Sequence, residues 1–295
     1  MVNLRKSKTT RRNTMKRITA ITALLAAVMT LSACGAANEN TASTESAATT
    51  TTAATEASTT TTSATTAAPT ETPENPIKGE DGSLRVDFSL GKPDGQEIAN
   101  GWTNGNPFNV TWRKTNVTFN DNKMQLVIDE DIPGGEIPYS GGEFRTSDFY
   151  GYGRFEVSMK AIKNDGVVSS FFTYTGPTDG NPWDEIDVEI LGKDTTQVQF
   201  NYYTNGAGGH EYMHDLGFDA SEDFHTYAFE WYEDKIVWFV DGEEVYSADS
   251  NIPSTDGKIM MNAWCGKNVD GWLKPFDGTT PLTAEYEWFT YTPFE

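Results

Sequence analysis

From Leu84 onward the chain is a succession of short aromatic and β-branched runs, each cut off by Gly, Asn, Asp or Pro. No stretch longer than about ten residues keeps a helical period, so the apolar residues have to be buried strand by strand. The runs at 84–90, 108–113, 123–128, 142–145, 153–161, 167–174, 184–191, 196–203, 226–232, 235–240, 258–264 and 284–291 predict strands. Asp241-Gly242, followed by a strand over 243–246, predicts a hairpin tip, because both residues tolerate φ > 0. The fold class is therefore all-β, a sandwich.

The folded part does not begin at the N-terminus. Arg5, Lys6, Lys8, Arg11, Arg12, Lys16 and Arg17 precede an apolar run from Ile18 to Ala33, too short for a membrane-spanning helix. Residues 1–33 read as a signal peptide, with Met15 as an alternative start. The run ends in Leu31-Ser32-Ala33-Cys34, which resembles a bacterial lipobox and implies a lipidated Cys34 at the head of an exported, membrane-anchored lipoprotein. Residues 34–80 are rich in Thr, Ser and Ala and cannot bury enough apolar surface to fold. As a flexible coil about forty residues span roughly 35 Å, enough for a tether. Residues 81–295 then fit one domain.

Charge narrows the partners. The chain has 22 basic and 43 acidic residues, and without the first 33 residues, which hold seven basic and no acidic groups, its net charge is −28. That balance argues against nucleic acid and anionic surfaces and suits a neutral or cationic partner; membrane contact is expected only through lipid on Cys34, and the domain is expected to be a monomer. Of two cysteines, Cys265 has no intrachain partner once Cys34 is lipidated, so no disulfide is expected.

The segment Trp183-Asp184-Glu185-Ile186-Asp187-Val188-Glu189-Ile190-Leu191-Gly192 sets three carboxylates at alternate positions. On a strand, Glu185, Asp187 and Glu189 share one face and Ile186, Val188 and Ile190 the other. Adjacent carboxylates repel and raise at least one pKa, which suits a site, although a solvated acidic edge strand would read the same way. The Cα atoms of Glu185 and Glu189 lie about 13 Å apart, and side chains leaning inward could bring the carboxyl groups to about 5–6 Å, the spacing of retaining glycosidases.

A second motif is a decoy. His210-Glu211-Tyr212-Met213-His214 matches the H-E-x-x-H pattern of zinc peptidases, which works only on a helix. Here glycines on both sides leave about seven residues between breakers, too few for a stable helix.

The acidic strand has matching surroundings. Val168 to Pro177, Trp183 to Gly192, Val198 to Gly206 and Lys258 to Trp264 closely resemble bacterial licheninases, the endo-β-1,3-1,4-glucanases of glycoside hydrolase family 16, over about Trp102 to Tyr291. The resemblance implies a concanavalin-like β-jelly-roll of two curved antiparallel sheets with a glucan cleft on the concave face. By position, Glu185 corresponds to the nucleophile, Glu189 to the general acid/base and Asp187 to the residue that tunes Glu185. Laminarinase-like members usually insert one residue before the last Glu; its absence here favours the licheninase branch. Phe172, Tyr174, Trp183, Tyr203, Trp264 and Trp272 correspond to aromatics near the glucose rings, and Asn104, Glu143, Arg145, Asn201 and Asn262 to polar contacts with sugar hydroxyls, though aromatics also dominate cores.

Two departures stand out. The cysteine pair common in that branch falls on Val110 and Gly141, and Glu287 occupies the acidic position used for a structural Ca²⁺. The chemistry itself calls for no cofactor. The expected function is endo-acting, retaining hydrolysis of mixed-linkage β-glucan. The alternatives are a β-1,3-glucanase or galactanase of the same family, or a non-catalytic carbohydrate-binding lipoprotein.

Overall fold

The computed structural model describes residues 74–294. The signal peptide, Cys34 and most of the Thr-rich segment lie outside the described residues. The strands are β1 (Ile77–Lys78), β2 (Leu84–Asp87), β3 (Glu97–Ile98), β4 (Val110–Trp112), β5 (Val117–Asn120), β6 (Lys123–Glu130), β7 (Tyr139–Arg145), β8 (Gly153–Lys160) and β9 (Val167–Thr175). They continue as β10 (Asp184–Leu191), β11 (Gln197–Tyr203), β12 (Tyr212–Asp215), β13 (His225–Trp231), β14 (Ile236–Val240), β15 (Glu243–Ala248), β16 (Lys258–Cys265) and β17 (Leu282–Pro293). One helical turn, α1 (Asp270–Leu273), precedes β17.

Two antiparallel sheets result. The cleft sheet runs β3, β7, β16, β9, β10, β11, β12. The outer sheet runs β15, β14, β13, β8, β17, and β17 then pairs along its other edge with β6 and β2, which carry β5 and β1. The sheets meet where Asp129 and Glu130 of β6 pair with Ser140 and Tyr139 of β7.

Alternation along each strand builds the core between them. Phe171 of the cleft sheet lies 5.9 Å from Phe229 of the outer sheet, and Phe200 stacks on Trp238 at 5.6 Å. All four rings are fully buried. Burying a side chain of that size contributes roughly 1.5–3 kcal/mol. Two polar tips also cross the sandwich: Trp238 Nε1 donates to the Asp187 carbonyl at 3.2 Å, and the Tyr286 hydroxyl to the Ser170 carbonyl at 2.9 Å.

The structure departs from the expected strand pattern in four places. The 84–90 run stops at Asp87, whose carboxylate accepts from Ser89 N at 3.0 Å and starts a 3-10 turn over Phe88–Leu90. Four short strands, β1, β3, β5 and β12, were not expected; each is defined by a neighbour rather than by its own pattern. One pairing, β4 with β7, is parallel, because the β5–β6 hairpin in the outer sheet lies between them as a crossover. The folded domain also starts before residue 81: Asn75 Nδ2 donates to the Asp87 carbonyl at 2.9 Å, and Ile77 pairs with Arg85.

Candidate active site

Strand β10 spans the residues expected of it and has the expected parity. Ile186, Val188 and Ile190 are fully buried in the core, while Glu185, Asp187 and Glu189 face the cleft. Its first residue is fastened: the buried Asp184 carboxylate accepts from the backbone N–H of Asn205 at 2.8 Å and of Ser254 and Thr255 at 3.0 Å each. One carboxylate thereby ties two loops to the start of the acidic strand.

Register then aligns the neighbours in rows across the sheet. Lys258, Tyr174, Glu185 and Tyr203 form one row; Arg145, Met260, Phe172, Asp187 and Asn201 the next; Glu143, Asn262, Ser170, Glu189 and Gln199 the third. Most residues assigned from the resemblance therefore share one face. Trp183 and Tyr203 stack at 4.6 Å between centroids, beside Glu185. Ser170 Oγ donates to Asn262 Oδ1 at 2.6 Å, and Arg145 pairs with the buried Glu143. Asn201 Oδ1 is buried with no partner among the described residues.

Two assigned residues sit differently from the rest. Trp264 is buried, its ring 4.2 Å from Phe108 and 6.0 Å from Trp272, so it packs as cleft wall and core together. Asn104 is exposed in the loop before β4, and its Oδ1 accepts from Trp112 Nε1 at 2.5 Å. Glu287 lies apart from the cleft: it occupies a bulge of β17 in the outer sheet and accepts from Ser158 Oγ at 2.7 Å. The H-E-x-x-H residues form no helix. His210 stacks on Tyr202, and His214 lies within strand β12.

Electrostatics separates the three acids. Burial pushes all three pKa values up, Asp187 well above the usual carboxylate range, with repulsion from Glu185 and Glu189 added there. Glu185 rises only to about 7, because the Trp183 indole N–H and Asp187 both hydrogen-bond to it and favour its charged form. Glu189 rises to about 8, repelled by Glu185 and Glu211, and offset only by Gln199 Nε2 donating to its Oε2 at 2.7 Å. Between these values Glu185 is charged while Glu189 holds its proton. Trp272 Nε1 in turn donates to Gln199 Oε1 at 2.9 Å.

Four cleft residues escaped the sequence reading: Gln199, Ser170, Trp102 and Glu211. Arg145 lies over the Trp102 ring at 5.2 Å. Gln199 stands two residues before Asn201 on β11, so strand parity alone would have flagged it, whereas Trp102 lies in the loop before β4, where no period points to it. Glu211 was passed over as part of the decoy.

An acid and a neighbouring base on one strand, floored by aromatic rings and amide side chains, define a glycoside-cleaving site. The comparisons agree. Residues 104–288 match the family described as "Glycosyl hydrolases family 16". A xylanase/beta-glucanase of Ruminococcus flavefaciens is 61% identical over 210 residues, covering 70% of this chain and 26% of that protein. A beta-glucanase of Paenibacillus polymyxa is 58% identical over 195 residues, covering 66% of this chain and 81% of that protein. The crystal structure of a beta-1,3-1,4-glucanase (lichenase) from a mouse hindgut metagenome superposes with a TM-score of 0.71 at 55% identity, covering 72% of this chain and 99% of that one. The chain belongs to glycosyl hydrolase family 16. It spans only about a quarter of the Ruminococcus relative.

Proposed function

We propose that the domain is an endo-acting, retaining hydrolase of mixed-linkage β-1,3-1,4-glucan. The observation that carries this is the unequal hydrogen bonding of the two glutamates: two donors hold Glu185 as a carboxylate, and Glu189 keeps its proton. Glu185 attacks C1 of the bound glucose as the C1–oxygen bond breaks, and Glu189 delivers its proton to the leaving oxygen. Water then gives a proton back to Glu189 and attacks C1, and Glu185 leaves as a carboxylate. Asp187 hydrogen-bonds to Glu185 and steadies it through both steps.

Family membership and the relatives' names support the choice of polymer. The aromatic residues Phe172, Tyr174, Trp183, Tyr203 and Trp272 offer flat faces to glucose rings, and Asn104, Glu143, Arg145, Asn201 and Asn262 offer partners to hydroxyls. Trp264 serves as wall. At Glu287 a bulge in β17 leaves the residue out of register, and its carboxylate, with backbone carbonyls beside it, would supply the oxygen ligands that Ca²⁺ takes. Among the described residues no cluster of three His, Cys, Asp or Glu side chains forms. Calcium would hold the outer sheet together and take no part in the chemistry. We also propose a monomeric domain carried outside the cell on lipid at Cys34.

Barley glucan and laminarin distinguish the substrate: reducing-sugar release from the first and little from the second is the expected result, and the reverse would move the enzyme to β-1,3-glucan. Glu189→Ala supplied with azide and an activated aryl glucoside should yield a β-glycosyl azide. Folded protein giving no such product would remove Glu189 from the acid/base role.

A further inference from the structure

Glu189 stands at the end of a chain of three donors that begins two residues past its own strand. The Lys193 ammonium donates to the Trp272 carbonyl oxygen. The Trp272 indole donates to Gln199 Oε1 at 2.9 Å, and Gln199 Nε2 donates to Glu189 Oε2 at 2.7 Å. Each link leaves the next a single arrangement. An indole N–H can only donate, so the buried Gln199 amide must turn its oxygen toward Trp272 and its NH₂ toward Glu189. A flipped amide would set N–H against N–H and oxygen against oxygen. Trp272 rides on the four-residue turn α1, too short to hold itself. Lys193 straps that turn to the end of β10, and the loop from Glu189 through Gln199 and Trp272 closes on the strand that carries Glu189.

We propose that Lys193, Trp272 and Gln199 are a positioning relay that reserves Oε2 of Glu189 as the hydrogen-bond acceptor and so leaves the transferable proton on Oε1. The relay rests on Glu189 being the acid/base. Its contribution is separable from the other groups facing Glu189. These are Glu185 and Asp187 on the same strand, Tyr203 on β11, Glu211 before β12, neutral Ser170 on β9, and Asn262 with the Glu143–Arg145 pair beyond. None of them is altered by changes at Lys193 or Trp272.

The test is the pH profile of kcat/KM, whose alkaline limb reports loss of the proton from Glu189 in the free enzyme. Trp272→Phe keeps a ring and removes the N–H. With the amide free to flip, the charged form of Glu189 loses a donor, and the limb should move up by about one pH unit, the size of one hydrogen bond to a charged group. Lys193→Met should move it the same way by a few tenths, and Lys193→Arg should restore it. Limbs of Trp272→Phe and Gln199→Leu that both superimpose on the parent, with only KM changed, would overturn the relay and leave these residues as sugar contacts. The azide experiment on Glu189→Ala separates the two readings: azide rescue with unmoved limbs sinks the relay alone, and no rescue sinks both.

Discussion

The indole nitrogen of Trp238, on the outer sheet, reaches through the core to the carbonyl oxygen of Asp187, in the middle of the acidic strand. The contact is one of few polar links across an otherwise apolar interior. It stiffens β10 from behind at the residue between Glu185 and Glu189. Trp238→Phe deletes the donor and leaves a void where the second ring was. Unfolding in denaturant should show a loss of about 2–4 kcal/mol, the range for a large-to-small core change with a lost hydrogen bond. Activity below the melting temperature should fall less than stability does.

Trp183→Phe should shift the acid limb of kcat/KM. The indole N–H favours the charged form of Glu185, so its loss raises the pKa of a residue already lifted to about 7. In its proposed role as nucleophile Glu185 must be ionised, so the enzyme then needs a higher pH to reach full rate. A shift of about one unit upward is expected, and the alkaline limb should stay where it is.

Glu189→Gln should be more stable than the parent at alkaline pH. In the fold Glu189 holds its proton to about 8, well above its ordinary 4.5, so the native state binds more protons than the unfolded chain across that window. Stability therefore falls as pH rises from about 4.5 to about 8, and a neutral amide avoids the loss. Melting curves should show the variant ahead by several degrees at pH 8.5 and nearly level with the parent at pH 4.5. A constant offset at both values would contradict the linkage.

Gly141→Ala should destabilise although its backbone is unstrained. An added Cβ would lie 2.7 Å from the Ala263 carbonyl oxygen, 3.0 Å from the Trp112 ring and 3.1 Å from Val110. Overpacking of this kind costs about 1–3 kcal/mol. Gly271→Ala, with nothing within 4 Å, is the control and should be neutral or slightly stabilising. The same crowding bears on Val110 and Gly141 as a cysteine pair: β7 would have to move away from Ala263 before a bridge could form.

What the sequence made legible was whatever depends on alternation within one strand. The span 184–191 could be read to the residue, with its three acids on one side and three aliphatics on the other. Short edge strands such as Tyr212–Asp215 could not, because their extended state comes from β11 and their own residues spell a metal motif. The Gln199–Trp272 contact was equally hidden. Its partners are 73 residues apart, and a Gln carries no periodicity that points to an indole. The parallel β4–β7 pairing needed knowledge of where the intervening hairpin goes.

The strict parity of β10 has a consequence for how this enzyme can change. Core and cleft are interleaved along the same backbone, so one inserted or deleted residue would exchange Ile186, Val188 and Ile190 with the acids unless a bulge absorbed it. Substitutions at cleft-facing positions leave the core side untouched. The fold therefore resists changes in length and is open to changes in identity. New polysaccharide preferences are most accessible through exchange of side chains along the rows through Tyr174, Phe172 and Ser170, with the scaffold behind them held fixed.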